Sequence, residues 1–148
     1  MTAVLVDTNI LVYAHDLGEF EKQAQAIRVL KFLEQVGNGC LSVQCLAEFF
    51  SIATRGKQPK LTLAEAERQV EQFATAYPVF PLTYQIILEA ARGVRDHQLA
   101  YYDAQLWAAA KLNQVPVIFS EDLPSQLTLE GVRFVNPFAP DFVLENWI

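Results

Sequence analysis

The chain has 148 residues, which is most simply a single domain spanning residues 1–148 and is long enough to bury a substantial core. Its hydrophobic fraction of 52% and charged fraction of 19% argue against intrinsic disorder, and no apolar run approaches the roughly 20 residues of a membrane-spanning helix. The formal net charge of −6 excludes recognition of nucleic acid by bulk charge, so such a function would need local basic patches or a bound metal ion.

The sequence offers no sign of secretion or of a zinc site. Its first residues, MTAVLVDTN, have no basic region and meet an acid early, unlike a secretory signal. Cys40 and Cys45 do not form a CxxC pair, and neither His15 nor His97 is near enough in sequence to complete a zinc pattern. We therefore expect a cytoplasmic protein in which both cysteines are small buried side chains.

The first half of the chain predicts two strands and three helical segments. In order, these are a β-branched strand at 4–6, one or two helical turns at 8–14, a helix from Phe20 that the GNG sequence ends at 37–39, a strand at 40–42 and a helix at 43–54.

The second half of the chain continues the alternation of strands and helices. TLAE at 62–65 is a capping box that opens a helix with apolar spacing to Tyr77. PVFPL predicts a short strand, Thr83 opens a helix to about His97, and 102–113 forms another helix. VPVIF and VRFV predict the last two strands. Strands alternating with helices indicate an α/β fold with a mainly parallel central sheet flanked by helices.

Four carboxylates follow apolar elements, and none has a lysine or arginine within three residues. Asp7 ends the first strand, Glu48 lies in the helix after the second, Asp103 is in the first turn of a helix, and Asp122 follows VPVIFS. Sites in open α/β sheets form beyond the carboxyl ends of strands. Converging carboxylates repel one another unless a proton or cation intervenes, and hard oxygen ligands suit Mg²⁺ or Mn²⁺. The chemistry this favours is metal-assisted hydrolysis of a phosphodiester.

Each acid also has an ordinary structural explanation, which the sequence leaves open. Asp7 could simply cap the next helix, and Asp103 could complement a helix dipole. Glu48 could be a solvated helix residue, and SEDLP could be an acidic turn.

Taken together, four motifs resemble the PIN domain family. They are VDTNIL at the first strand, LAEFF with Glu48, LAYYDAQLWAAA with Asp103, and FSEDL with Ser120 and Asp122. The ending GVRFVNPF is similar to the VapC-like branch of toxin ribonucleases.

The resemblance implies a metal-dependent endoribonuclease in which Asp7, Glu48, Asp103 and Asp122 are catalytic and bind one or two Mg²⁺ or Mn²⁺ ions. Asn9 and Ser120 match the polar positions that support this quartet. The resemblance also implies an RNA substrate, a small antitoxin protein as partner and a homodimer. One alternative is a catalytically silent PIN-like module that binds RNA or protein. Another is a phosphatase with an aspartyl nucleophile, but its motif has a second Asp two residues after the first, and this sequence has Asn9 at that position.

An acidic RNase needs local cations. TRGKQPK places Arg55, Lys57 and Lys60 just past the helix that carries Glu48, and we predict that they contact the RNA backbone, although a solvated loop is an equal alternative. Arg92 and Arg95 form a second basic cluster on the approach to Asp103. The aromatic C-terminal segment, NPFAPDFVLENWI, could contribute to a protein interface or pack on the protein's own core.

Overall fold

The central sheet places the first strand of the chain in its interior. In the computed structural model, which describes residues 1–148, six strands run in the order β3-β2-β1-β4-β6-β5. They are β1 (Val4–Val6), β2 (Gly39–Ser42), β3 (Val79–Phe80), β4 (Val117–Phe119), β5 (Thr128–Leu129) and β6 (Val132–Val135). All pairings are parallel except that of β5 with β6. The predicted α/β class and mainly parallel sheet are confirmed.

Six α-helices connect and cover these strands. They are α1 (Thr8–Tyr13), α2 (Phe20–Val36), α3 (Val43–Thr54), α4 (Leu63–Ala76), α5 (Tyr84–His97) and α6 (Tyr101–Leu112), and a 3-10 helix spans Leu144–Trp147. None of the α-helices combines the length and apolar character that crossing a membrane requires.

Local chemistry explains several of these boundaries. Thr62 and Glu65 form the predicted capping box at the start of α4, and the Thr83 side chain caps α5. Helix α2 is followed by its C-cap, Gly37, whose φ of 81° is readily adopted only by a residue without a Cβ. Because these signals act over three or four residues, the sequence predicted these helix ends closely.

The register of the sheet brings distant residues to one edge. Val6 of β1 is opposite Phe119 of β4, and Leu5 is opposite Cys40 of β2, all in parallel. The residues that follow these strands therefore emerge at the same end of the sheet, since parallel strands share a direction.

The core is centred on β1 and α6. All three β1 residues are fully buried, as is Trp107 of α6. Helices α5 and α6 pack closely because Gly93 faces this indole: a Cβ at that position would lie 2.8 Å from Trp107 Cζ3. Cys40 and Cys45 are both free and buried, as predicted.

One strand near the C-terminus was not predicted. Strand β5 turns through Glu130 and Gly131, which have φ values of 49° and 86°, to pair antiparallel with β6. This is the geometry of a tight hairpin, but the strand is only two residues long and the turn lacks the usual Asn-Gly or Asp-Gly sequence. For the C-terminal aromatic segment, the sequence left two possibilities open. In the structure it packs on the protein's own core, with Phe142 and Trp147 both edge-on to Phe119 at about 5 Å between ring centroids.

Candidate active site

A cavity of about 330 Å³ opens where β1 and β4 end, and all four predicted carboxylates line it. Asp7 lies between β1 and α1, Glu48 is in the second turn of α3, Asp103 is in the first turn of α6, and Asp122 follows β4. Residues from four separate parts of the chain therefore meet at the carboxyl edge of the sheet.

Asp7 is the most buried of these acids. Its Oδ1 accepts a 2.7 Å hydrogen bond from the Thr8 backbone N–H, and its Oδ2 accepts a 2.7 Å bond from the Ser120 hydroxyl. Burial raises the pKa of Asp7 to about 6; the two hydrogen bonds oppose the rise, and the charges of Glu48 and Asp122 add to it. Asp7 thus caps α1 and also contributes a carboxylate to the cavity, so the two interpretations of this residue are compatible.

Ser120 and Asn9 connect the acids. The fully buried Ser120 hydroxyl bonds Asp7 and accepts a 3.2 Å hydrogen bond from the Asp122 backbone N–H. The Asn9 side chain donates to Asp122 Oδ2 at 3.0 Å and to Ser120 Oγ at 3.4 Å. Its own carbonyl oxygen is buried without a hydrogen-bond partner. The structure therefore places both predicted supporting residues among the acids, while their roles stay predictions.

The four carboxylates have no cationic partner. None of them belongs to any of the ion pairs of the protein. Burial and the nearby charge of Asp122 raise the pKa of Asp103. An arrangement of this kind disfavours several simultaneous negative charges unless a proton or a cation compensates them.

The oxygen atoms that line the cavity are suitable ligands for a hard divalent cation, but the side chains are too far apart to coordinate one together. No three carboxylate, imidazole or thiol groups lie close enough together to hold a metal ion in this arrangement. The available donors are nevertheless all oxygens, comprising four unpaired carboxylates and the unpartnered carbonyl of Asn9, which are the ligands that Mg²⁺ and Mn²⁺ accept.

Several residues at the cavity were not predicted. Tyr13, Gln44 and Tyr102 also line it. Helical periodicity could have found two of them, since Tyr13 is one turn beyond Asn9 and Gln44 is one turn before Glu48.

Beside the cavity, Tyr13 is part of a polar cluster. Its hydroxyl donates a 2.6 Å hydrogen bond to Glu121 Oε1, and Lys22 Nζ lies 2.7 Å from Glu121 Oε2. The turn between Ser120 and Asp122 is therefore tied to α1 and α2 as well as to Asp7.

The predicted basic residues lie outside the cavity. Arg55, Lys57 and Lys60 follow α3 and do not line it, and the nearest acid to Lys60 is Asp16, at 3.9 Å. Their contact with RNA stays a prediction.

Acidic residues neutralise the second basic cluster. Arg92 forms ion pairs with Glu89, Asp96 and Glu130, and Arg95 pairs with Asp96. These residues do not line the cavity that Asp103 faces. Glu89 and Asp96 are near neighbours of these arginines in α5, whereas Glu130 reaches Arg92 through the β5–β6 hairpin, which was not predicted.

The chain is similar to known proteins in sequence and in fold. The family model described as the PIN domain matches residues 4–123. A toxin–antitoxin complex from Klebsiella pneumoniae superposes with a TM-score of 0.66 at 16% identity, covering 92% of this chain and 98% of that one. FitAcB from Neisseria gonorrhoeae gives 0.66 at 17% identity, covering 91% and 98%.

A third solved structure, Mycobacterium tuberculosis VapC20, is described as a toxin that cleaves the Sarcin-Ricin loop. It superposes with a TM-score of 0.64 at 15% identity, covering 81% of this chain and 90% of that one. These identities establish a shared fold. Comparison of the sequence with curated proteins gives no significant match.

Proposed function

Because the chain belongs to the PIN domain family, we propose that it is a metal-dependent endoribonuclease that hydrolyses RNA phosphodiester bonds as the toxin of a toxin–antitoxin pair. The observation that carries the proposal is the set of four carboxylates, Asp7, Glu48, Asp103 and Asp122, that line one cavity without a single cationic partner. The description of VapC20 as a Sarcin-Ricin loop cleaving toxin gives the proposal a precedent on the same fold.

One or two Mg²⁺ or Mn²⁺ ions would be held by these four carboxylates. Such an ion lowers the pKa of a bound water and stabilises negative charge on phosphate oxygens. The carboxylates would also gain, since a cation would offset the burial and, to a smaller extent, the mutual repulsion that raise the pKa of Asp7 and Asp103.

The protein's own residues prepare this site through hydrogen bonds. Ser120 and the Thr8 N–H each bond one oxygen of Asp7, so they favour its ionised form and fix its orientation. Asn9 holds Asp122 through Oδ2. We propose that Asp7 and Asp122 are thereby kept in place as ligands, and that Glu48 and Asp103, which have no hydrogen bonds to hold them, adjust to the ion.

Cleavage of a pool of tRNA and rRNA by the purified protein tests the activity. We expect products with Mg²⁺ or Mn²⁺, none with EDTA and none from Asp103→Asn. Glu67→Gln, which changes an exposed acid of α4, is the matched control and should cleave like the wild type. Equal behaviour of the wild type and Asp103→Asn, both folded and free of any partner, would instead support the silent binding module.

Metal binding can be tested separately from activity. A ligand that binds only the folded state raises its stability, so Mn²⁺ should raise the Tm of the wild type and of Glu67→Gln. It should raise the Tm of Asp103→Asn much less. Equal shifts for all three proteins would place the metal elsewhere.

We also propose a small antitoxin protein as partner and a homodimer as the assembly. VapBC2 from Rickettsia felis and FitAB are solved with fragments of DNA, and the Klebsiella structure is itself a toxin–antitoxin complex. Co-expression with the neighbouring open reading frame, followed by light scattering on a sizing column, tests both points. Cleavage that persists at full rate in the co-purified complex would contradict the proposal that this partner is an antitoxin.

A cytoplasmic location stays a prediction, which cell fractionation would test.

A further inference from the structure

A second groove adjoins the carboxylate cavity. It has a volume of about 500 Å³ and lies between α3 and the start of α6, with Leu82 at one side. Gln44, Glu48 and Tyr102 line both the groove and the cavity, so the two spaces share a wall. The remaining wall is partly apolar, formed by Val43 and Ala47 of α3.

Tyr102 presents an aromatic surface at the junction of the two spaces. The residue is 66% exposed although it directly precedes Asp103. Its ring meets that of Tyr101 at an interplanar angle of 82°, and no other ring is stacked parallel to it. A flat ligand can therefore lie against this side chain without displacing a neighbour.

Two glutamine amides supply polar groups inside the groove. Gln105 is 94% buried, and its amide nitrogen donates to Gln44 Oε1 at 3.0 Å while its carbonyl oxygen has no partner within the chain. Gln44 in turn donates one N–H to the Tyr102 carbonyl at 3.0 Å, which leaves its second N–H free. The groove thus offers one acceptor, the Gln105 carbonyl oxygen, and one donor, the second Gln44 N–H, that make no hydrogen bond within the protein, so both are available to a ligand.

We propose that this groove binds a nucleobase of the RNA strand whose phosphate lies at the carboxylates. Stacking on an exposed aromatic ring and hydrogen bonds to an unpaired base edge are how proteins recognise single-stranded RNA. The inference deepens the proposed function and rests on it. A second copy of the chain is the other occupant an apolar groove could have, but it would bury the unpaired Gln105 carbonyl and cover the mouth of the carboxylate cavity. The substrate nucleotide is accordingly unpaired, and Tyr102, Gln44 and Gln105 set the base preference.

Fluorescence anisotropy with labelled homopolymeric RNAs of the four bases and an abasic RNA of equal length tests the proposal. Binding is measured with EDTA and again with Mg²⁺, with the RNA checked for integrity on a gel. We expect at least one base-containing RNA to bind about tenfold more tightly than the abasic strand, as one stacked base provides. Tyr102→Ala and Gln105→Leu should reduce that preference to near unity, and Tyr102→Phe should keep most of it. Tyr84→Ala, which removes an exposed tyrosine of α5 outside the groove, is the control and should match the wild type.

Equal binding of all strands by the wild type, or no binding of any strand in either condition, would overturn the proposal. So would an equal loss for abasic and base-containing strands in Tyr102→Ala, because that variant would then act on the backbone or on the fold. A change of Tyr102→Ala from dimer to monomer with an unaltered base preference would assign the groove to a second copy. The preference is measured without hydrolysis, so it can survive a failure of the nuclease proposal, and metal-dependent cleavage can survive a failure of this one.

Discussion

The hydroxyl of Ser120 donates a 2.7 Å hydrogen bond to Oδ2 of Asp7, joining two residues that are 113 positions apart in the sequence. The bond exists because β1 and β4 are neighbours in the sheet and end at the same edge. It links the most buried acid of the cavity to the turn that carries Asp122.

Removal of this bond should shift the pH dependence of cleavage. The Ser120 hydroxyl lowers the pKa of Asp7, so Ser120→Ala should raise that pKa further and leave less of the ionised form below neutral pH. We expect a rate about tenfold below that of the wild type near pH 6, with a smaller loss at higher pH, since a hydrogen bond to a charged group contributes roughly 1.5–3 kcal/mol.

Ser120→Thr keeps the hydroxyl and should retain the wild-type profile, and Ser125→Ala is a neutral control on the same loop. Parallel profiles for Ser120→Ala and the wild type, differing only by a constant factor, would contradict a role through the ionisation of Asp7.

The ionisation of buried Asp7 should also lower the free energy of unfolding as the pH rises. Its pKa rises from 3.8 to about 6 on folding, so between about pH 4 and about pH 6 the folded state holds a proton that the unfolded state has lost. Stability therefore decreases as the pH rises through this window, and the cost is complete above about pH 6. In EDTA, Asp7→Asn should be more stable than the wild type by up to about 3 kcal/mol at neutral pH and nearly equal to it near pH 4.

Urea denaturation at both pH values measures this difference, with the exposed Asp141→Asn as control. A variant no more stable than the wild type at neutral pH would show that Asp7 carries no burial penalty.

The basic segment after α3 should govern the salt dependence of RNA binding. If Arg55, Lys57 and Lys60 contact phosphates, replacing all three with glutamine should reduce the slope of log affinity against log salt by about 2, at roughly 0.7 per phosphate contact on a single strand. Titration by anisotropy at several salt concentrations measures the slope.

A second triple variant controls for net charge alone. It changes three basic residues outside this segment, Arg28, Lys31 and Arg95, to glutamine. Equal slopes for the two triple variants would show that the segment is simply solvated.

The contact between α5 and α6 should tolerate no side chain at Gly93. The added methyl group of Gly93→Ala would lie 2.8 Å from Trp107 Cζ3, and the indole is fully buried and cannot move freely. We expect a loss of about 1–3 kcal/mol in unfolding free energy, which is typical of overpacking. Gln85→Ala at an exposed position of α5 should change stability little. A Gly93→Ala protein as stable as the wild type would mean that the two helices separate at small cost.

Local signals made much of this structure predictable, and long-range contacts made the rest unpredictable. Thr62, Thr83 and Gly37 act on backbone groups within four residues, so helix ends followed from the sequence. The four carboxylates could be placed at one edge because parallel strands share a direction. The Tyr13–Glu121 hydrogen bond and the pairing of Arg92 with Glu130 depend instead on how separate elements pack, and no local pattern encodes them.

The strand order has a consequence for synthesis. Because β4 follows its neighbour β1 by more than a hundred residues, the edge that carries Asp7 stays without Ser120 and Asp122 while the intervening residues are made. At about 5–20 residues per second, a ribosome spends several seconds on a nascent chain that cannot yet form the carboxylate cavity. Products that stop before β4 lack Ser120 and Asp122, so the complete cavity forms only once nearly the whole domain has emerged.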